Sequence, residues 1–267
     1  MPLNYTVTGN DLQYIKITLE AGEQAIAEQG AMMYVDKHVT IDTILGDGSA
    51  SSFGVLGRFW NALKRSFTGE SMFSSVYRNT SSKPQTIAIA APSPGEIIPI
   101  NLGEYGGMII CQKGAYLAGE LGQKIQLVFQ KRLRVGFFGG EGFIMQKISG
   151  QGIVFIHASG TLKEAVLAPD DELKIDTGCL VGMSSTVRYD IKYTGKLKTS
   201  LFGGEGLFYA TVSGPGKVWI QSLPMNRLSK ILMSSALTGS NSRSSWMGKI
   251  YLLAIIGFVI ASVYLDK

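Results

Sequence analysis

Cysteine and histidine are scarce, with two of each among 267 residues. Two cysteines exclude a disulfide framework, and a Cys/His zinc site would use nearly all four residues. Charged residues are also few, at 17%. With a mean hydropathy of +0.17, this composition excludes a disordered polyelectrolyte. The N-terminus, Met1–Val7, has no basic cluster followed by an apolar core and no Arg-rich amphipathic stretch. A secretory signal and a transit peptide are therefore not expected. No GxSxG elbow and no GxxxxGK[ST] phosphate loop occurs.

Glycine is abundant, at 33 residues, close to twice the usual ~7%. It follows no G-X-Y period, so collagen is excluded and turns or bulges must account for it. Apolar residues concentrate at the C-terminus, where Ile250–Leu265 runs sixteen residues without a charge. A helix over 246–265 spans ~30 Å, one hydrocarbon core. Trp246, Tyr251 and Tyr264 flank it as interface anchors, and Lys249 reaches the headgroups. Arg227, Lys230, Arg243 and Lys249 precede the span, so the positive-inside bias keeps the N-terminal body in the cytoplasm. Ala254, Gly257 and Ala261 provide small residues for helix–helix packing. The Ser/Gly-rich stretch 234–245 reads as a linker.

The body, 1–233, repeats itself. Phe138–Ile156 and Phe202–Ile220 are identical at ten of nineteen positions at an offset of 64, and FTGESMF at Phe67–Phe73 is a weaker third copy. A second element recurs as Gly30–Met33, Gly106–Ile109 and Gly178–Val181. Three related modules follow, approximately 1–100, 101–170 and 171–233. Short β-rich runs at Ile87–Ala90, Ile97–Ile100, Gln126–Phe129, Gly152–His157, Thr186–Ile191 and Gly216–Gln221 alternate with turn residues. They predict stacked antiparallel sheets.

These motifs, the paired FGGEG runs and GES-x-F at Gly69–Phe73, resemble the altered-inheritance-of-mitochondria 24 family over nearly all of 5–232. The resemblance implies a mainly β fold like that of the tryptophan RNA-binding attenuator protein (TRAP), with three β-sandwich-like modules around a pseudo-threefold axis. Mitochondrial relatives are linked to inner-membrane organisation and cristae maintenance. No catalytic residues are established for the family, so none is carried over. The terminal span is a departure from many bacterial members. The missing transit peptide points to a bacterial or archaeal inner membrane rather than a mitochondrial one.

Candidate sites divide into structural and membrane-facing groups. Gly139, Gly140, Glu141 and Gly142, with Gly203, Gly204, Glu205 and Gly206, lead into apolar strands without a phosphate-binding Lys, and read as structural hairpins or bulges. Glu70, Glu141 and Glu205 read as backbone acceptors or ion-pair partners. His38 and His157 have no nucleophile nearby in sequence, Cys111 and Cys179 read as small buried hydrophobes, and 170–172 as a solvated turn. No catalytic, cofactor or metal residue is assigned.

The segment Phe53–Phe67 is more informative. On a helical wheel Phe53, Leu56, Phe59, Trp60, Leu63 and Phe67 fill an arc of about 120°. Arg58 and Arg65 lie opposite and Lys64 at the boundary. That is the layout of a helix lying in a membrane interface, or packed on the β body or another subunit.

Nucleic acid is disfavoured. Setting aside Lys249, Asp266 and Lys267 leaves 23 basic and 19 acidic residues, a net +4 without a dense basic stripe. Lys131, Arg132 and Arg134 form one local cluster and Lys192, Lys196 and Lys198 another. The expected partners are the lipid bilayer and further copies of the chain or other membrane proteins. The expected role is a non-enzymatic, tail-anchored scaffold, with a membrane-tethered module for a small ligand or RNA as the alternative.

Overall fold

A computed structural model describes residues 3–45, 73–128, 143–193, 208–224 and 227. The chain forms two compact units, Met1–Pro224 and Met225–Lys267, and of the second only Arg227 is described. Among the described residues no helix is long and apolar enough to cross a membrane. The expected span at 246–265, the Phe53–Phe67 helix and both FGGEG motifs lie outside the described residues.

The first unit is built from β-strands, as the short β-rich runs and turn signals predict. It opens on β1 (Asn4–Thr8). One set of six strands follows: β2 (Tyr14–Leu19), β3 (Gln24–Glu28), β4 (Met32–Val35), β5 (Val39–Leu45), β6 (Phe73–Asn79) and β7 (Gln85–Ala90). A second set comprises β8 (Gly95–Asn101), β9 (Met108–Gln112), β10 (Tyr116–Glu120), β11 (Lys124–Val128), β12 (Met145–Ser149) and β13 (Ile153–Ser159). The third comprises β14 (Leu162–Leu167), β15 (Glu172–Asp176), β16 (Leu180–Ser184), β17 (Arg188–Tyr193), β18 (Phe208–Ser213) and β19 (Gly216–Gln221).

Every set has the same antiparallel wiring: first strand to sixth, sixth to third, fourth to fifth, and fifth to second. Even the irregularity repeats. The third strand bulges against the sixth between Met32 and Tyr34, between Tyr116 and Ala118, and between Leu180 and Gly182. One backbone bond recurs beside each bulge: Ala90 N–H to the Ala31 carbonyl, His157 to Ala115, and Gln221 to Cys179, at 2.8, 2.7 and 2.8 Å.

This wiring corrects one expected repeat. The counterpart of Gly30–Met33 and Gly178–Val181 is Gly114–Leu117, at the entry to the third strand of the second set. Gly106–Ile109 sits one strand earlier. A 3-10 helix at Leu102–Tyr105 precedes it, and both glycines turn through positive φ (67° and 75°) into β9.

Neighbouring sets are joined edge to edge by the same pair of strands. The second strand of one set pairs with the third strand of the next, β3 with β10 and β9 with β16. Among the described residues four sheets result, in the orders β1-β2-β7-β4, β5-β6-β3-β10-β13-β8, β11-β12-β9-β16-β19-β14 and β15-β18-β17.

Three hydrophobic cores fill the spaces between successive sheets. The two six-stranded sheets are therefore buried on both faces. In β13, Phe155 enters the first core while Val154, Ile156 and Ala158 enter the second. In β19, Trp219 enters the second core and Val218 the third. Two-sided burial explains why β13 is buried along nearly its whole length, whereas β1 and β2 on an outer sheet alternate.

Candidate functional site: the loop-bearing end

Antiparallel pairing fixes which connections share an end of the body. The first strand of each set ends where the sixth begins, and the turns first-to-second, third-to-fourth and fifth-to-sixth all lie at that end. The opposite end carries the second-to-third turns, the fourth-to-fifth connections and the passages between sets. Because the joining strands β3/β10 and β9/β16 are also antiparallel, all three sets point the same way.

The fourth-to-fifth connections are 46–72, between β5 and β6; 129–144, between β11 and β12; and 194–207, between β17 and β18. Most of the glycine-rich, aromatic and basic segments noted in the sequence fall in these connections. They hold Phe53–Phe67, Gly69-Glu70, the two FGGEG runs, and Lys131, Arg132, Arg134, Lys196 and Lys198. The chain also leaves β19 at this end. Strand direction thus puts the described residues flanking the three connections, and the last described residues after β19, on one side of the first unit. Their own residues, including Phe53, Leu56, Arg58, Phe59, Trp60, Leu63, Lys64 and Arg65, lie outside the described residues. So do Gly139–Gly142, Gly203–Gly206, Ala254, Gly257 and Ala261.

The described surface at this end is formed by the starts of the sets. Asn10, Asp11 and Gln13, then Pro94, Gly95 and Glu96, then Gly160 and Thr161, line one shallow open depression of about 400 Å³. Each start is tied to the previous one. Ile97 N–H donates to Gln13 Oε1 at 2.7 Å, Leu162 N–H to Glu96 Oε1 at 3.0 Å, and Gly160 N–H to the Pro94 carbonyl at 2.8 Å. The polar groups of the rim thus brace the body's own backbone. Gly95 must be glycine, because a Cβ there would overlap the Ala158 carbonyl and φ is +153°.

Cys111 is buried in the second core, and burial pushes its thiol up to about 12 against the hydrogen bond from Gln146. It stays protonated, which suits a small hydrophobe rather than a nucleophile. Tyr116 is raised by burial too, and Glu28 is raised by burial against the pull of Lys113. His157, near the loop-bearing end of β13, is buried and its imidazole is lowered by desolvation; the Ser93 backbone bond opposes the shift. Nε2 of His157 has no hydrogen-bond partner among the described residues. His38 lies in the turn before β5 at the opposite end, where its carbonyl accepts from Thr80 N–H and Oγ1. Among the described residues no three His, Cys, Asp or Glu side chains are placed to hold a metal.

One cluster combines a hydrogen bond, an ion pair and a ring contact around Trp219. The Glu164 carboxylate accepts from Trp219 Nε1 at 3.0 Å and pairs with Lys217 Nζ at 2.7 Å, while Tyr105 packs edge-on against the indole at 5.4 Å. Sequence reading missed this brace, because Glu164 meets Trp219 and Lys217 only once β14 and β19 pair, and Tyr105 comes from the 3-10 helix of the second set.

A family model described as mitochondrial biogenesis AIM24 matches residues 5–223. An uncharacterised protein of Streptococcus pyogenes serotype M6 is 30% identical over 229 residues, 85% of this chain and 88% of its own. The X-ray crystal structure of a Streptococcus pyogenes protein matches with a TM-score of 0.69 at 26% identity, covering 87% of this chain and 99% of the other.

Proposed function

The chain belongs to the mitochondrial biogenesis AIM24 family, and from that premise we propose that it is a non-enzymatic, self-associating scaffold anchored in a membrane, with its loop-bearing end toward the bilayer. The observation that carries this reading is topological. The three fourth-to-fifth connections and the chain's exit from β19 share one end of the body. The first connection holds the basic, aromatic Phe53–Phe67 segment, and the exit leads to the uncharged run Ile250–Leu265. An interfacial helix and an apolar span that start from one side of a rigid body reach the same bilayer.

The remaining parts of the reading follow from this orientation. Trp246–Leu265 is the span, Ala254, Gly257 and Ala261 its packing stripe, and the body lies on the cytoplasmic side of a bacterial or archaeal inner membrane. The three sets of strands are TRAP-like β-sandwich modules. Support comes from the repeated joint and from the convergence of three set starts on one depression. The FGGEG runs, with Gly139–Gly142 and Gly203–Gly206, are tight returns between fourth and fifth strands.

Fractionation tests the anchor. Full-length chain is expected to pellet with membranes and to resist salt and carbonate extraction, while a chain ending at Ser234 is released. Full-length chain in the soluble fraction refutes the anchor. In flotation with anionic liposomes, Phe59→Asp/Trp60→Asp is expected to lose the binding that the wild-type chain ending at Ser234 retains. Equal flotation refutes insertion by that segment.

A further inference from the structure

The two joints inside the body leave one half of the same joint unused at each end of it. Where the sets join, the third strand of one set lies against the second strand of its predecessor. Ala118 stands opposite Ala27, Gly119 opposite Ile26 and Glu120 opposite Ala25; in the second joint Gly182 stands opposite Cys111, Met183 opposite Ile110 and Ser184 opposite Ile109. The equivalent third strand of the first set is β4, at the edge of its sheet. The equivalent second strand of the third set is β15, also at an edge. These two edges are not paired with each other or with any other strand among the described residues.

Burial shows what the first of these edges lacks. The residue inside the bulge is Leu117 in the second set and Val181 in the third, each 1% exposed because it enters the core shared with the preceding set. The residue inside the bulge of the first set is Met33, at 55% exposure, flanked by exposed Met32 and Tyr34. Three consecutive exposed apolar residues on an edge strand are a template for pairing.

We propose that β4 of one copy pairs antiparallel with β15 of a second copy, repeating the internal joint between chains. The register is fixed by equivalence: Tyr34 opposite Ile175, Val35 opposite Lys174, and Asp36 opposite Leu173. Polarity selects this occupant over the isologous one. Antiparallel pairing of β4 with β4 would point the loop-bearing ends of two copies in opposite directions. Pairing of β4 with β15 keeps them together, as β3 with β10 and β9 with β16 do within the chain. One bilayer therefore accommodates only the head-to-tail arrangement, which continues from copy to copy as a ring or a filament.

The joint between copies is weaker than those within the chain. Tyr34 replaces Ala118 and Gly182, and Lys174 replaces Ile26 and Ile110, so a charge sits where both internal joints bury isoleucine or pack it against the core. An edge lysine discourages uncontrolled pairing. Confinement to a membrane raises the local concentration that such a joint needs.

The inference deepens the self-association of the proposed scaffold and rests on it. Its test is disulfide trapping of full-length chain in membranes, in a Cys179→Ser background, with Val35→Cys and Lys174→Cys placed singly and together. Mild oxidation is expected to give a ladder of dimers and larger species from the double variant, and a dimer from the two single variants mixed. Val35→Cys with Lys192→Cys, off the joint, is expected to give none. Met33→Glu is expected to lower the trapped fraction about tenfold or more, since it removes a buried methionine from the joint.

An internal disulfide in a chain that stays monomeric overturns the proposal, because the edges then close on each other. A dimer from Val35→Cys alone overturns it in favour of two-fold pairing. No trapping at all, with an amine cross-linker still revealing oligomers, overturns this joint and leaves self-association standing. No oligomers by either route overturn both.

Discussion

Each outer sheet of the body carries half the strands of an inner sheet in the same order, yet the two kinds obey different rules. β13 and β19 send alternate residues into two cores, and both are apolar at their centres. β7 holds the same position in the first set, but Ala88 stands where the inner sheets have Phe155 and Trp219. The difference follows from neighbours. A module with a module on each side must bury both faces, while the first and last cover one face only. Local propensity sets the strand, and position in the stack sets how apolar it must be.

The comparison breaks most sharply at Trp219. It is fully buried, its Nε1 donates to Glu164, and it joins the second core to the third set. Trp219→Ala is expected to cost about 3–5 kcal/mol in chemical denaturation. A loss below ~1 kcal/mol would mean that the inner sheets are no more tightly filled than the outer ones.

Bulge residues give a cleaner contrast, because their backbone is the same. Leu117→Ala is expected to destabilise the chain by about 2–5 kcal/mol, and Met33→Ala, exposed in the monomer, by no more than about 0.5 kcal/mol. Denaturation at low protein concentration reads both. Equal losses would erase the distinction between a joined and an unjoined edge.

His157 sharpens the comparison through pH. Its folded-state pKa lies below the ordinary value of 6.5, chiefly through burial. The unfolded chain therefore binds the proton first, and the stabilising contribution is complete above the ordinary value. It is lost as pH falls through that value toward the lowered one. His157→Gln, the residue found at the equivalent Gln221, is expected to flatten that part of the stability curve. An unchanged slope would assign the acid sensitivity elsewhere.

The smallest effect is expected at the Lys217–Glu164 pair, which is partly exposed. Lys217→Met should cost only about 0.2–1 kcal/mol, decreasing with salt.

Much of this architecture was legible in sequence, and for a physical reason. The paired FGGEG runs and the weaker copy at Phe67–Phe73 marked three related modules, and the short β-rich runs marked β7, β8, β11, β13, β17 and β19. What stayed hidden depends on contacts distant along the chain. Gly106–Ile109 looks like Gly30–Met33 by composition, yet only the pairing of β10 with β13 identifies Gly114–Leu117 as the true counterpart. Nor does any local signal show that Leu117 and Val181 are buried while Met33 is bare. The candidate site was legible as separate segments, Phe53–Phe67 and the terminal run. That β5 and β19, the strands before them, end on one side of the body follows only from strand direction.

The orientation of that end toward the bilayer is tested most directly by lipid quenching. A fluorophore is placed on Thr161→Cys, at the loop-bearing end, or on Lys37→Cys, in the turn before β5 at the opposite end; both positions are exposed. The full-length chain, in a Cys179→Ser background, is reconstituted into vesicles containing lipids with brominated headgroup-proximal chains. The account predicts stronger quenching at Thr161 than at Lys37. Equal quenching, or the reverse order, would contradict it.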